Sequence, residues 1–309
     1  MEYTGYLFVH FIGEEEDGEQ VYFALSRDGL HWQDLNGGKP MLRSHIGECG
    51  VRDPFIIRSP WPAGEAEKKS KSYLMATDLR IGAGKGWEAA QYDGSRDIIV
   101  WESEDLVNWQ GPRACEVGPR EAGCVWAPEA VYDREKDAFM VFFASMVKLP
   151  GEEAAKQRIY AVYTQDFRTF TEPQLYLESE RHVIDTTIVE TAEGYYRYSK
   201  DETTARIRVE FGESLHKDAF HRVSSPVLDE LCGVEGPEIF RLNDSGKWCL
   251  VVDRFAAGRG YLPLVAEKLS DGNFTIPDES EFDMGVLKKR HGGIMNLTEE
   301  EYGRLEKLL

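Results

Sequence analysis

An all-β fold, a five-bladed β-propeller, is predicted by three features of the 309-residue sequence. A turn motif recurs along the chain, strand-like segments come in threes upstream of it, and the chain ends supply complementary fragments of one repeat. The motif reads "SRDGLHW" (26–32), "SEDLVNW" (103–109), "TQDFRTF" (164–170) and "LSDGNFT" (269–275), with "ESLHKDAF" (213–220) as a looser copy. Each copy has a small polar residue, an Asp nearby and an aromatic a few positions on. Asp and Gly suit a tight turn, and the aromatic opens an outer strand.

The innermost strands are expected at "RDPFIIR" (52–58), "WAPEAVYD" (126–133), "IDTTIVE" (184–190) and "EGPEIFR" (235–241). Second strands follow at "SYLMATD" (72–78), "AFMVFFAS" (138–145), "YYRYSK" (195–200) and "WCLVVD" (248–253). Third strands are "DIIVWE" (97–102), "RIYAVY" (158–163), "RIRVEF" (206–211) and "YLPLVAE" (261–267). Alternation, β-branched residues and aromatics mark them as strands. The N-terminal block starts at a second strand, "YLFVHF" (6–11), and continues with "VYFAL" (21–25). It lacks an inner strand, and "RHGGIMNL" (290–297) is a strand without a blade. Pairing the two closes the ring and removes exposed edges. Residues 1–309 are then one catalytic-domain-sized propeller, with a short helix at "TEEEYGRLEKLL" (298–309) capped by Thr298.

A formal charge of −19 disfavours nucleic acid, whose phosphates this surface would repel, and leaves neutral sugars unaffected. No apolar run reaches the length of a membrane span. The N-terminal stretch does not read as a signal peptide, and the five cysteines are scattered without metal-ligand spacing. The expectation is a cytoplasmic protein with reduced thiols.

In a propeller the inner strands converge on one mouth. They begin "VRDPF", "VWAPE", "VIDTT", "VEGPE" and "KRHGG", and three of the five bring Asp53, Asp185 and Glu235 to nearly the same height. Clustered carboxylates raise one another's pKa, a cost a bare scaffold has no reason to bear. Paired acids with separated pKa values are what glycoside hydrolysis uses. Glu235 has the longer reach and suits the proton donor. Asp53, before Pro54 and therefore expected to be extended, suits a fixed base.

The set "RDPFII", "WAPE", "IDTT" and "EGPEIF" resembles the five-bladed hydrolases of glycoside hydrolase family 43, which includes arabinofuranosidases, β-xylosidases and arabinanases. The resemblance covers essentially the whole chain. It implies Asp53 as general base, Glu235 as general acid, and Asp185 as the group that orients Glu235 and holds its pKa up. It departs from the family pattern where Thr186 replaces a proline after Asp185, and where a partial blade precedes the Asp-Pro strand. No cofactor is implied, although a structural cation near the axis is compatible with the closing-strand histidine. A hydrogen-bonded inner His291 is the preferred reading.

Substrate-binding candidates are Trp126, Arg290, His291, Asp78, Trp87 and Arg254. Trp126 stacks on a sugar or packs its blade; Trp87 lies in a Gly-rich rim loop, "GAGKGWEAAQYDGS" (82–95). Glu129 reads as supporting, and Arg52 as alternating away from Asp53. "GEAEKKSKS" (64–72) reads as a solvated surface loop. The reading is an inverting glycosidase that removes terminal pentose, with α-L-arabinofuranosidase favoured over β-xylosidase or β-galactosidase. Its partner is a carbohydrate, with the oligomeric state left open. The alternative is a non-catalytic propeller scaffold, which three converging acids argue against.

Overall fold

Strands from the two chain ends meet in one sheet. In the computed structural model, which describes residues 2–60 and 71–309, the first blade is built from β1 (Gly5–Phe11), β2 (Tyr22–Ser26) and β3 (Gln33–Asp34). The second holds β4 (Val51–Arg58), β5 (Ser72–Asp78), β6 (Asp97–Ser103) and β7 (Trp109–Glu116). The third holds β8 (Trp126–Asp133), β9 (Ala138–Val147), β10 (Lys156–Thr164) and β11 (Gln174–Leu177). The fourth holds β12 (Val183–Glu190), β13 (Tyr195–Asp201), β14 (Arg206–Gly212) and β15 (Phe220–Val223), and the fifth β16 (Glu235–Arg241), β17 (Trp248–Asp253) and β18 (Tyr261–Ala266). Finally β19 (Arg290–Leu297) pairs antiparallel with β1, as the incomplete ends require. The stretch 64–72 lies, up to residue 70, outside the described residues.

Hydrophobic alternation explains how the blades stack. All of β1 is buried, yet Leu7 and Val9 pack with Leu74, Ile99 and Trp101 of the second blade, while Tyr6 and Phe8 pack with Phe240, Val251 and Tyr261 of the fifth. Successive side chains point to opposite faces, so each blade fills two seams. Five apolar clusters result, one in each seam. Burial of each Leu or Phe side chain contributes about 1.5–3 kcal/mol.

The turn motif has one geometry in its first three copies. Ser26, Ser103 and Thr164 accept from the backbone N–H three residues on, at 2.8, 2.9 and 2.9 Å. Asp28, Asp105 and Asp166 each accept two further N–H groups. The residue after the Asp turns left-handed: Gly29, Leu106 and Phe167 have φ of 81°, 67° and 52°. Leu106 and Phe167 are buried, so core packing retains a conformation that glycine adopts freely.

Two expectations fail locally. "LSDGNFT" forms no outer strand, and the fifth blade stops at three, followed by an isolated bridge between Val265 and Thr275. Val265 bonds outward to Thr275, so Pro263, two residues before it, also faces the outer edge and offers no donor there. The rim loop is not irregular throughout: Trp87–Tyr92 forms a short helix, α1. At the C-terminus Thr298 and Glu301 make the capping box expected of the terminal helix, Glu299–Leu305.

Candidate active site

Each inner strand is broken by a β-bulge at the mouth of the ring. Register shifts lie between Arg52 and Phe55, Trp126 and Glu129, Ile184 and Thr186, and Glu235 and Glu238, and opposite His10 and Phe11 in the closing strand. The extra residue turns left-handed in four of them: Asp53, Ala127, Asp185 and Gly236 have φ of 49°, 49°, 46° and 52°. Asp53 is therefore not the extended residue expected before Pro54. The bulge places two residues opposite one, and Asp tolerates the left-handed region better than most residues.

The bulges sort the axial residues into three layers. Outermost are Arg52, Trp126, Ile184, Glu235 and Arg290. Next come Asp53, Ala127, Asp185, Gly236 and His291, and below them Phe55, Glu129, Thr187, Glu238 and Gly293. Glu235 thus stands one layer above Asp53 and Asp185 rather than level with them. Arg52 lies on the pocket wall instead of turning away, because the bulge interrupts the alternation.

A cavity of about 430 Å³ opens over these layers, lined by Arg52, Asp53, Trp126, Ile184, Asp185, Glu235, Arg290 and His291, and by Trp87, Lys200, Glu202 and Phe255 around them. His291 is the axial cation. Its Nδ1 is 3.5 Å from Asp53 and 3.8 Å from Asp185, and its Nε2 is 4.0 Å from Glu129. Burial would deprotonate it, but these carboxylates outweigh burial and hold its pKa well above the ordinary value. Among the described residues no group of three or more His, Cys, Asp or Glu side chains is arranged to hold a metal ion.

Charge states differ sharply among the carboxylates. Burial pushes Asp53 up, yet His291, Arg52 and a 2.8 Å hydrogen bond from Thr77 hold it below the usual range, so it is ionised. Burial lifts Asp185 to about 6, with Glu235 and Asp53 adding to the effect. Glu129 is lifted by burial to about 7, and Glu238 well above its ordinary value. Burial also pushes Glu235 up, but Lys200 Nζ at 2.9 Å and Arg290 Nη2 at 2.9 Å outweigh it and hold the carboxyl down. This reverses the expectation that Asp185 keeps Glu235 raised: two direct cations outweigh one neighbouring carboxylate.

Of the predicted binding residues, Trp126 and Trp87 form one wall, their rings 6.0 Å apart and edge to face. Arg290 bridges Glu235 and the fully buried Asp253, and Arg52 bridges Glu14 and Glu19. Two candidates fall outside. Asp78 accepts the Glu48 N–H in the neighbouring loop, and Arg254 donates to the backbone oxygens of Gly260, Arg259 and Tyr261. Each is one residue past the position that faces the axis. Opposite the outermost layer across the second strands stand Thr77, Ala144, Lys200, Asp253 and Phe11. Thr77 and Asp253 were missed for that reason, since a one-residue slip along a strand exchanges its faces, whereas Lys200 carries no local signal and is brought to the site by its contact with Glu235.

A ring of five blades with acids from different blades converging over an axial histidine defines a class, the five-bladed propellers of carbohydrate-active type. Within it, the chain belongs to the glycosyl hydrolase 43-related family, whose model, described as a "probable glycosyl hydrolase domain", matches residues 1–303. An α-L-arabinofuranosidase of Bifidobacterium longum subsp. longum is 29% identical over 298 residues, covering 82% of this chain. The chain spans only 27% of that relative's length. Among solved structures, an α-L-arabinofuranosidase from Fusarium graminearum in complex with an iminosugar inhibitor superposes with a TM-score of 0.58 at 14% identity, over 91% of this chain and 80% of its own. A family 43 arabinoxylan arabinofuranohydrolase from Bacillus subtilis gives 0.56 at 13% identity, over 96% and 66%. At such identities these likenesses bear on the fold.

Proposed function

We propose that the protein is an inverting glycoside hydrolase that removes a terminal pentose from small carbohydrates, and that the pentose is an α-L-arabinofuranose. The observation that carries this reading is the convergence of Asp53, Asp185 and Glu235, from three blades, in one pocket walled by Trp87 and Trp126. Asp53, ionised and fixed by His291 and Thr77, takes a proton from the attacking water. Glu235 delivers a proton to the departing glycosidic oxygen. Asp185 accepts the Gly236 N–H at 3.1 Å and so fixes the backbone beside Glu235. His291 supplies positive charge at the axis. The arabinose preference rests on the family and on the name of the Bifidobacterium relative.

The test is hydrolysis of nitrophenyl α-L-arabinofuranoside, β-D-xyloside and β-D-galactoside by the wild type, Asp53→Asn and Glu235→Gln, with the anomer formed followed by NMR. Turnover of the arabinofuranoside with inversion, lowered about 100-fold or more in Asp53→Asn, is expected. Turnover of another sugar alone would correct the pentose. Silence of the folded wild type on all three would favour a binding scaffold.

A further inference from the structure

The assigned acid is locked in its ionised form by two cations, and they are not equivalent. Arg290 Nη2 holds Glu235 Oε1, while its Nε is bonded at 2.5 Å to Asp253, which is fully buried. The Arg290 guanidinium also lies 5.3 Å from the Phe11 ring centre. A fork fastened at both prongs cannot leave one carboxylate without stranding the other. Lys200 Nζ holds Glu235 Oε2 by a single contact on a flexible stem, and its second partner is Glu202 at 2.5 Å. Glu202 is 43% exposed, follows Lys200 by two residues and lines the same cavity. The ammonium also sits 4.3 Å from the centre of the Phe255 ring, whose face attracts it.

With a cation on each oxygen, Glu235 is disfavoured from taking up the proton it must carry to a leaving group. We infer that Lys200 is a displaceable counterion: when a glycoside fills the pocket, Lys200 leaves Glu235 for Glu202, and Glu235 Oε2 takes up a proton and faces the glycosidic oxygen. The proton comes from solvent, passes to the leaving oxygen as the glycosidic bond breaks, and is balanced by the one Asp53 removes from the attacking water. Lys200 and Glu202 are positioning residues in this scheme. The groups facing Glu235 are Lys200 and Glu202 from the fourth blade, Asp185 from its inner strand, Asp253 from β17, and Arg290 and His291 from β19. Among these cations only Lys200 has an exposed carboxylate to move toward.

The inference rests on Glu235 being the acid, and the experiment separates the two. Glu202→Gln, Lys200→Met and Glu235→Gln are assayed on benzyl and dinitrophenyl glycosides of the sugar identified above, across pH. Glu202→Gln should lose about 10-fold in kcat on the benzyl glycoside and less than about two-fold on the dinitrophenyl one, whose leaving group hardly needs protonation. The basic limb of its kcat profile, which reports the substrate-bound enzyme, should move to lower pH, since Lys200 then stays on Glu235. In Lys200→Met the limb should move to higher pH, because removing a cation favours the protonated acid. If Glu202→Gln matches the wild type on both substrates, or loses equally on both, the displacement scheme is wrong. If Glu235→Gln hydrolyses the benzyl glycoside as fast as the wild type, the acid assignment itself falls.

Discussion

Thr77 shows how much one side chain settles at the mouth. Its hydroxyl donates to Asp53 Oδ2 at 2.8 Å and accepts the buried Ala127 N–H at 2.7 Å, tying the second blade to the third. Thr77→Val leaves a backbone donor unpaired, which costs about 1–3 kcal/mol and should show as a lower midpoint in urea. It also removes one of the groups that lower Asp53. A base works ionised, so the acid limb of the pH–rate profile should move to higher pH. Trp87 behaves differently because it is 46% exposed. Trp87→Ala should raise KM several-fold and leave the melting temperature within about 2 °C of wild type, as expected of a rim contact outside the core.

At the scale of elements, the bulge is the unit that makes the site. It lets each inner strand present two consecutive residues to the axis, where a regular strand would present alternate ones. Gly236 is the bulge residue in the fifth blade, at φ 52°, and a Cβ there would stand 2.6 Å from His291 Cγ. Gly236→Ala should therefore displace the imidazole, lowering stability by about 1 kcal/mol or more and activity by a larger factor than that loss accounts for. Thermal melts and kcat at a temperature where the variant is folded check both. The slip that led from Thr77 to Asp78 and from Asp253 to Arg254 belongs to this scale as well. Composition marks where a strand ends, whereas pairing register decides which of its last two residues faces inward.

For the whole molecule, closure and buried charge dominate. The ring is held at its seam by β19 on β1, by Leu297 in the core, and by Arg58, which pairs with Glu301 at 2.8 Å across to the terminal helix. Leu297→Ala should cost about 2–5 kcal/mol, measured in urea. The axial acids give stability a pH dependence of definite sign. Glu129 is raised by burial from 4.5 to about 7, so it favours the fold while protonated, and that contribution is lost as pH rises between those values. Glu129→Gln, which mimics the protonated acid, should flatten the fall in melting temperature across this window and be more stable than wild type above it. An unchanged slope would place the dependence on Asp185 or Glu238 instead.

Sequence alone determined the architecture and the catalytic candidates. A repeated Asp turn, strands in threes and complementary ends admit one closed ring, and local chemistry marks Asp53, Asp185 and Glu235 because their carboxylates open strands that converge. Tertiary structure decided which face each neighbouring residue turns to the axis, and with it the charge states. Lys200 and Asp253 lie 35 and 37 residues from Glu235 and from Arg290 respectively along the chain, yet they make the direct ion pairs that set those states. Such pairings follow from bulge register and long-range closure, which no local pattern encodes, whereas strand periodicity and turn chemistry are properties of a few consecutive residues.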